Sequence, residues 1–214
     1  MIAILGGTGP EGQGLALRFA QAGYRVIIGS RDEDRAKQAA KDIGGLIDSD
    51  LVTGSTNREA AELGSTVFIS LPYLAQRETL LELRPSLEGK TVVDVIAPLV
   101  FDKGIARAVE VEEGSAAEQA QEILPLAHVV GAFHSISARD LIIPDKPIDC
   151  DVVVCSDNDS AKSEVMNLAE IIKGVRAING GGLQSSRYVE GLTALLLNVN
   201  RIYKCHSMIK IMGI

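Results

Sequence analysis

The chain has 214 residues, of which 46% are hydrophobic and 23% charged. These are ordinary proportions for one large α/β domain, alone or with a small appendage. A net charge of −7 and a pI near 5.0 argue against general binding to nucleic acid or anionic membranes, which requires positive surface. No apolar run reaches transmembrane length and no basic-then-apolar leader is present, so a cytoplasmic protein is expected.

Met1-Ile2-Ala3-Ile4-Leu5 is a short aliphatic run that reads as a strand. Gly7-x-Gly9-x-x-Gly12 follows directly, and Leu15, Leu17, Phe19 and Ala20 then begin a helical pattern that stops at Gly23. Strand, glycine turn and helix in this order signal a dinucleotide site. The first glycine lets the chain turn out of the strand. The second lets backbone N–H groups approach a pyrophosphate, and the third lets helix and strand pack closely. The phosphates then sit at the helix N-terminus, where N–H groups lack internal partners. Thr8 and Glu11 lie inside the same turn. The competing reading is a glycine-rich turn that binds nothing.

Arg25 to Gly29 is the second strand, and Ser30, Arg31 and, one turn on, Arg35 follow it. NAD-preferring folds place an acid at this strand end for the ribose 2′-hydroxyl. A hydroxyl and two guanidiniums suit a 2′-phosphate instead, since arginine offers forked donors to phosphate oxygens. The pocket is therefore expected to prefer NADP. Alternatively, Arg31 and Arg35 form a solvated face paired with Asp32 and Asp34; Ser30 as N-cap of a helix starting at Arg31 is compatible with either reading.

Asp32 to Ile43 reads as a helix ended by Gly44-Gly45. A short strand over Asp50–Gly54, a helix over Asn57–Leu63 and a strand over Thr66–Ser70 come next. Leu71-Pro72 precede a helix over Leu74–Leu83, where Pro72 can shape a wall for the nicotinamide, open the helix, or do both. Thr91–Val95 is a fifth strand, and Pro98–Gly114, without a clear period, is expected to be a loop closing over ligand. Ser115-Ala116-Ala117-Glu118 is a capping box for a helix reaching Leu124. His128–Phe133 is a sixth strand, delivering His134-Ser135-Ile136-Ser137 to the carboxyl edge of the sheet. A strand over Asp151–Cys155, a helix over Asp159–Lys173 and a strand over Gly174–Ile178 lead to Gly180–Gly182, the best candidate hinge. Ser185–Met212 reads as one or two helices whose broad apolar face must cover the sheet edge or meet another subunit.

This alternation predicts an α/β fold of the Rossmann type, a doubly wound parallel sheet with a small C-terminal helical or mixed domain. The expected division is residues 1–140 for the dinucleotide-binding domain and 141–214 for the smaller domain with its terminal apolar helix. Ligand is expected at the carboxyl edge, where Ser30, Leu71-Pro72 and the residues after Val95 meet. Cys150, Cys155 and Cys205 lack metal-type spacing and read as structural thiols, with no metal and no disulfide expected.

Ile4-Leu5-Gly6-Gly7-Thr8-Gly9, Gly29-Ser30-Arg31, the Ser-Ala-Ala-Glu box at 115–118, His134-Ser135-Ile136, and Ser186-Arg187 through Glu190, Leu192-Thr193 and Leu195–Asn198 stand in one order along the chain. Together they resemble the reduced coenzyme F420:NADP oxidoreductase family, from the first strand to about Arg201. The resemblance implies hydride transfer between NADP and a reduced deazaflavin, coenzyme F420, and a homodimer. It implies that NADP lies on Gly7, Thr8, Gly9, Glu11 and Gly12, with Ser30, Arg31 and Arg35 near the phosphates. Leu71 and Pro72 would touch the nicotinamide, and His134 and Ile136 would line the place where the two rings stack. Arg35 stands where the family tends to have lysine, Tyr73 replaces a tryptophan, Ser137 replaces a proline, and the tail after Arg201 lacks the family's glycine-containing ending.

Carbon-to-carbon hydride transfer leaves no substrate oxygen to protonate, so the expected catalytic set is sparse: two rings held in contact and water excluded. Ile136 suits a spacer, and His134 a donor to a deazaflavin carbonyl where charge changes. On its residues alone, His134 is equally a strand-end histidine satisfied by backbone. Two other functions compete. An imine or carbonyl reductase needs a proton donor beside the nicotinamide, for which Lys103, His134 and Tyr188 are the candidates. A non-catalytic NADP-binding redox sensor needs none.

Overall fold

The structure, a computed structural model, describes residues 1–214. Strand and helix alternate through β1 (Ile2–Leu5), α1 (Pro10–Gln21), β2 (Val26–Ser30), α2 (Glu33–Ile47), β3 (Val52–Thr56), α3 (Asn57–Leu63), β4 (Thr66–Ile69), α4 (Tyr73–Leu87) and β5 (Thr91–Asp94). The chain continues through β6 (Leu99–Asp102), β7 (Ile105–Ala108), α5 (Ala116–Ile123), β8 (His128–Gly131), α6 (Ala138–Leu141), β9 (Cys150–Val154), α7 (Asp159–Glu170), β10 (Val175–Asn179) and α8 (Ser186–Tyr203).

Six strands form one parallel sheet in the order β3-β2-β1-β4-β5-β8. This is the doubly wound order, and its reversal between β1 and β4 opens a crevice at the carboxyl edge. The central strands are buried on both faces, which is why they read as unbroken aliphatic runs rather than as alternation. Side chains alternate between two cores. Ile4, Ile28, Phe68 and Val93 join α1 and α7 on one side. Leu5, Ile69 and Val92 join α4 and α5 on the other. The pair β9–β10 abuts the main sheet through reciprocal Gly131–Cys155 backbone bonds of 2.9 Å. Its side chains share the core of α1.

Several expectations need correction. Residues 98–114 are no loose loop, because β6 and β7 pair as an antiparallel hairpin. Sequence missed it because Leu99-Val100-Phe101 does not alternate, and the apolar face of Leu99, Phe101, Ala106 and Ala108 appears only once the two strands are in register. What holds it is distant: the Asn198 amide donates to the Ala106 carbonyl (2.8 Å) and accepts from the Ala106 N–H (2.9 Å). Gly44-Gly45 do not end α2, which continues until Asp48 turns left-handed. Ser30 does not cap that helix. Asp32 does, accepting the Arg35 N–H at 3.1 Å, while the Ser30 hydroxyl accepts the Asp32 N–H at 3.1 Å.

The Gly180–Gly182 run is no free hinge, since its backbone is bonded to Val154 and Ser156 and its end is held by Asp157. The tail is one helix followed by extended chain. Lys204 turns left-handed at φ 51° and ends α8. Residues 208–214 then run back along β9, where the Asp151 N–H donates to the Ile209 carbonyl (2.9 Å). The Arg176 guanidinium clamps the Asp151 carboxylate (2.7 and 2.9 Å) together with the Ile211 and Ile214 carbonyls.

Candidate active site

The glycine turn is built from close backbone approach. The left-handed residue is Gly6, at φ +67°, one position before the glycine expected to make the turn. A Cβ there would meet the Leu71 side chain at 2.6 Å and the Ser70 carbonyl at 2.8 Å, so the turn sits directly against the segment after β4. Gly12 touches Gly7, and a Cβ at position 12 would lie 2.5 Å from the Gly7 Cα. At Gly9 a Cβ would meet nothing within 4 Å, which leaves open space above the helix N-terminus. The Asn57 side chain accepts the Gly6 N–H at 3.0 Å, and the Gln13 amide holds the Thr8 carbonyl at 2.7 Å. Gly9 caps α1 with its backbone and Pro10 opens the helix, leaving the first-turn N–H groups facing that space.

Ser30, Arg31 and Arg35 continue this strip across the end of β2. Ser30 is buried, while both arginines are exposed. Neither enters an ion pair; the bridge on that helix is Lys37–Glu33 at 2.7 Å. The pairing of these arginines with Asp32 and Asp34, the bland reading of the sequence, is therefore not what is found.

Two cavities meet beyond the glycine turn. One, of about 530 Å³, is mostly apolar and lies between Leu71-Pro72-Tyr73 and the Val95–Ala97 and hairpin residues. The other, of about 610 Å³, lies between Ser135–Arg139 and the last two turns of α8, with Ile136, Leu196 and Leu197 inside it. Both sizes suit a small-molecule ring system. Glu11, His134 and Thr193 line both cavities and form their common wall.

His134 is placed by an unusual backbone. Phe133 has φ +68°, a conformation rare for an aromatic residue. It is held among Phe68 and Phe19, with ring centroids 5.7 and 6.5 Å away. The Thr193 hydroxyl then donates to the His134 carbonyl at 2.8 Å. His134 is only 6% exposed, and neither ring nitrogen has a partner. Burial pulls its pKa down to about 4, so the ring is neutral at physiological pH. Unpaired buried nitrogens are costly unless a ligand completes them.

Glu11 is half-buried, with Oε1 out of solvent and unpartnered, and burial pushes its pKa up to about 8. A neutral carboxyl in the first turn of α1 does not repel phosphates beside it.

The capping box and the Arg-x-x-Glu segment, singled out separately in the sequence, interlock. Arg187 pairs with Glu118 at 2.6 Å. The Glu190 carboxylate accepts the Ala116 and Ala117 N–H groups at 2.8 and 3.2 Å, capping α5 from another helix. Burial raises the Glu190 pKa to about 7. Buried Asp94, near enough to feel its charge, is also raised, chiefly by burial. These contacts fix α8, and with it Thr193 and the cavity walls.

The structure thus gathers Glu11, Leu71, Pro72, His134 and Ile136 around the paired cavities. Gly7, Thr8, Gly9, Gly12, Ser30, Arg31 and Arg35 form the open strip leading into them. Lys103, at the hairpin tip, and Tyr188, 74% exposed on α8, line neither cavity, so of the three candidate donors only His134 is found there. Thr193 and Asn198 went unrecognised as positioning residues. Their signal was present only as polar residues breaking the apolar face of α8.

A family model described as NADP oxidoreductase, coenzyme F420-dependent, matches residues 1–98. An F420-dependent NADP reductase of Methanocaldococcus jannaschii is 42% identical over 95% of this chain and 93% of its own length. That of Methanothermobacter thermautotrophicus is 42% identical over 93% of this chain and 88% of its own. A crystal structure from Arthrobacter sp. FB24, provisionally described as an F420-dependent NADP reductase, superposes with a TM-score of 0.85 at 26% identity, covering 99% of both chains. No helix is long and apolar enough to cross a membrane.

Proposed function

The chain belongs to the family of F420-dependent NADP reductases, and from that premise we propose that it moves a hydride between NADP(H) and coenzyme F420 at the wall shared by the two cavities. The observation that carries this reading is that wall: Glu11, His134 and Thr193 face both spaces, and His134 has two unpaired buried nitrogens. NADP lies along Gly7, Thr8, Gly9, Glu11 and Gly12, with its 2′-phosphate held by Ser30, Arg31 and Arg35. Leu71 and Pro72 support the nicotinamide in the apolar cavity. The deazaflavin lies over Ile136 in the other.

Holding both rings in near-attack contact contributes roughly 7–11 kcal/mol to lowering the barrier. Ile136 keeps water from the transferred hydride. Neutral His134 donates one N–H to a ring carbonyl whose charge changes during transfer. Neutral Glu11 lets the pyrophosphate approach the helix terminus. A cytoplasmic location and a homodimer belong to the same reading. On α8, Tyr188, Leu192, Leu195, Val199 and Ile202 recur at coiled-coil spacing, and Tyr188, Leu195 and Ile202 are exposed. Sedimentation measures the assembly.

Mixing the purified protein with NADPH and oxidised F420 is expected to bleach the visible absorbance of the deazaflavin. NADPH oxidation with an imine instead would refute the assignment. Arg31→Ala is expected to weaken NADP roughly 10- to 100-fold, the loss of one charge-assisted phosphate contact. NAD should be little affected, and an equal loss for both nucleotides would remove Arg31 from the 2′-phosphate site.

A further inference from the structure

The mouth of the cavity over Ile136 carries Arg139, Arg201 and Lys204. Three cations converge there in a chain whose net charge is −7. They come from separate elements: Arg139 from the short helix after Ser137, and Arg201 and Lys204 from the end of α8. None of the three forms an ion pair. The neighbouring basic side chains are engaged. Lys146 and His206 both bind the buried Asp140 carboxylate, at 2.7 and 2.8 Å, which fixes the turn beneath the rim. Glu11 is the acid that lines this cavity; it stands on the wall shared with the second cavity, and burial pushes its pKa up to about 8.

Cations in the last turn of a helix are common, because they complement its dipole. That explanation covers Arg201 and Lys204; Arg139 lies on a helix of only four residues, too short for a sizeable dipole, and lines the same cavity from that separate element. The cavity is therefore polarised along its length. It has buried, unpaired His134 on the wall shared with the second cavity, apolar Ile136, Leu196 and Leu197, and unpaired cations on the solvent-exposed residues Arg139, Arg201 and Lys204. Its complement is a molecule with an uncharged, hydrogen-bonding ring at one end and an anionic chain at the other.

We propose that Arg139, Arg201 and Lys204 form a subsite for the anionic side chain of the deazaflavin, its phosphodiester and carboxylate groups, and so make the protein distinguish the complete coenzyme from its uncharged ring nucleoside. This rests on the reading that the deazaflavin occupies this cavity. The same charges serve association, since a cationic rim in an acidic protein draws a polyanion to one opening, and salt weakens that attraction.

The test is the full-length chain carrying Arg139→Ala, Arg201→Ala and Lys204→Ala together, against the unaltered protein. Two readouts are used: fluorescence titration without NADP, and steady-state kinetics, each with F420 and with the deazaflavin riboside that lacks the side chain. The triple variant is expected to bind F420 roughly tenfold more weakly and to raise its KM as much, with kcat within about twofold. Riboside affinity and the KM for NADPH should stay within about twofold, and the salt dependence of F420 binding should flatten. Arg139→Lys with Arg201→Lys should restore most of the affinity. Equal weakening of F420 and riboside, a raised KM for NADPH instead, or no change would each overturn the subsite. Failure of the unaltered protein to bind or turn over either deazaflavin would overturn the hydride-transfer reading, and the subsite with it.

Discussion

Glu190 couples the C-terminal helix to the rest of the site, and its protonation can be read as stability. Its pKa rises from 4.5 to about 7 because burial disfavours the ionised form more than two backbone donors favour it. The folded state therefore holds this proton more tightly than the unfolded chain. Its stabilising effect is complete below pH 4.5 and is lost as pH climbs through 7. A difference of about 2.5 units corresponds to about 3 kcal/mol between pH 4.5 and 8. Glu190→Gln keeps the shape and one carbonyl acceptor but cannot ionise. It should match the unaltered protein within about 1 kcal/mol at pH 5 and exceed it by about 2 kcal/mol at pH 8, less one N–H left poorly paired. Glu190→Ala leaves both the Ala116 and Ala117 N–H groups without their acceptor and opens a void, so it should lose about 2–4 kcal/mol at both pH values. Urea unfolding followed by far-UV circular dichroism suits a chain without tryptophan. Glu11 and Asp94 tilt stability in the same direction. The difference between the unaltered protein and Glu190→Gln isolates Glu190, together with whatever relief Asp94 gains. If the Gln variant keeps the unaltered slope, Glu190 is ionised throughout and this reasoning fails.

Gly12→Ala should abolish NADP binding and cost about 1–3 kcal/mol in stability, because the new methyl meets backbone of Gly7 that cannot yield; calorimetric titration and thermal unfolding measure the two effects. His134, with its pKa near 4, should leave no inflection between pH 6 and 7 in kcat/KM. His134→Ala should lower kcat roughly 100-fold. An inflection near 6.5 that disappears in that variant would show a histidine that titrates during turnover.

The dinucleotide half of the fold was legible because local chemistry specifies it. Central strands in a parallel sheet are apolar throughout, and the glycine spacing follows from contacts as short as that of Gly12 on Gly7. Elements held by partners far along the chain were not legible. The β6–β7 hairpin, whose strands show no alternation, depends on Asn198, 92 residues beyond Ala106. The end of α8 lies at Lys204, which no glycine or proline announces. Arg139 and Arg201 share a rim only because the chain after β8 folds under the C-terminus of α8. The two segments that looked like separate signatures proved to be halves of one contact, Glu190 on the N-terminus of α5, which spacing alone does not reveal.

Phe133 ties the reacting site to the molecule's interior. Its left-handed backbone costs of order 1–3 kcal/mol, and packing against Phe68 and Phe19 must offset that cost for His134 to point where it does. The imidazole is thus aimed from behind, by the tilted and edge-on packing of three buried benzyl groups. Trimming Phe19 or Phe68 to leucine would be felt as a drifting histidine and slower turnover before any melting was seen, a distant lesion masquerading as a chemical one.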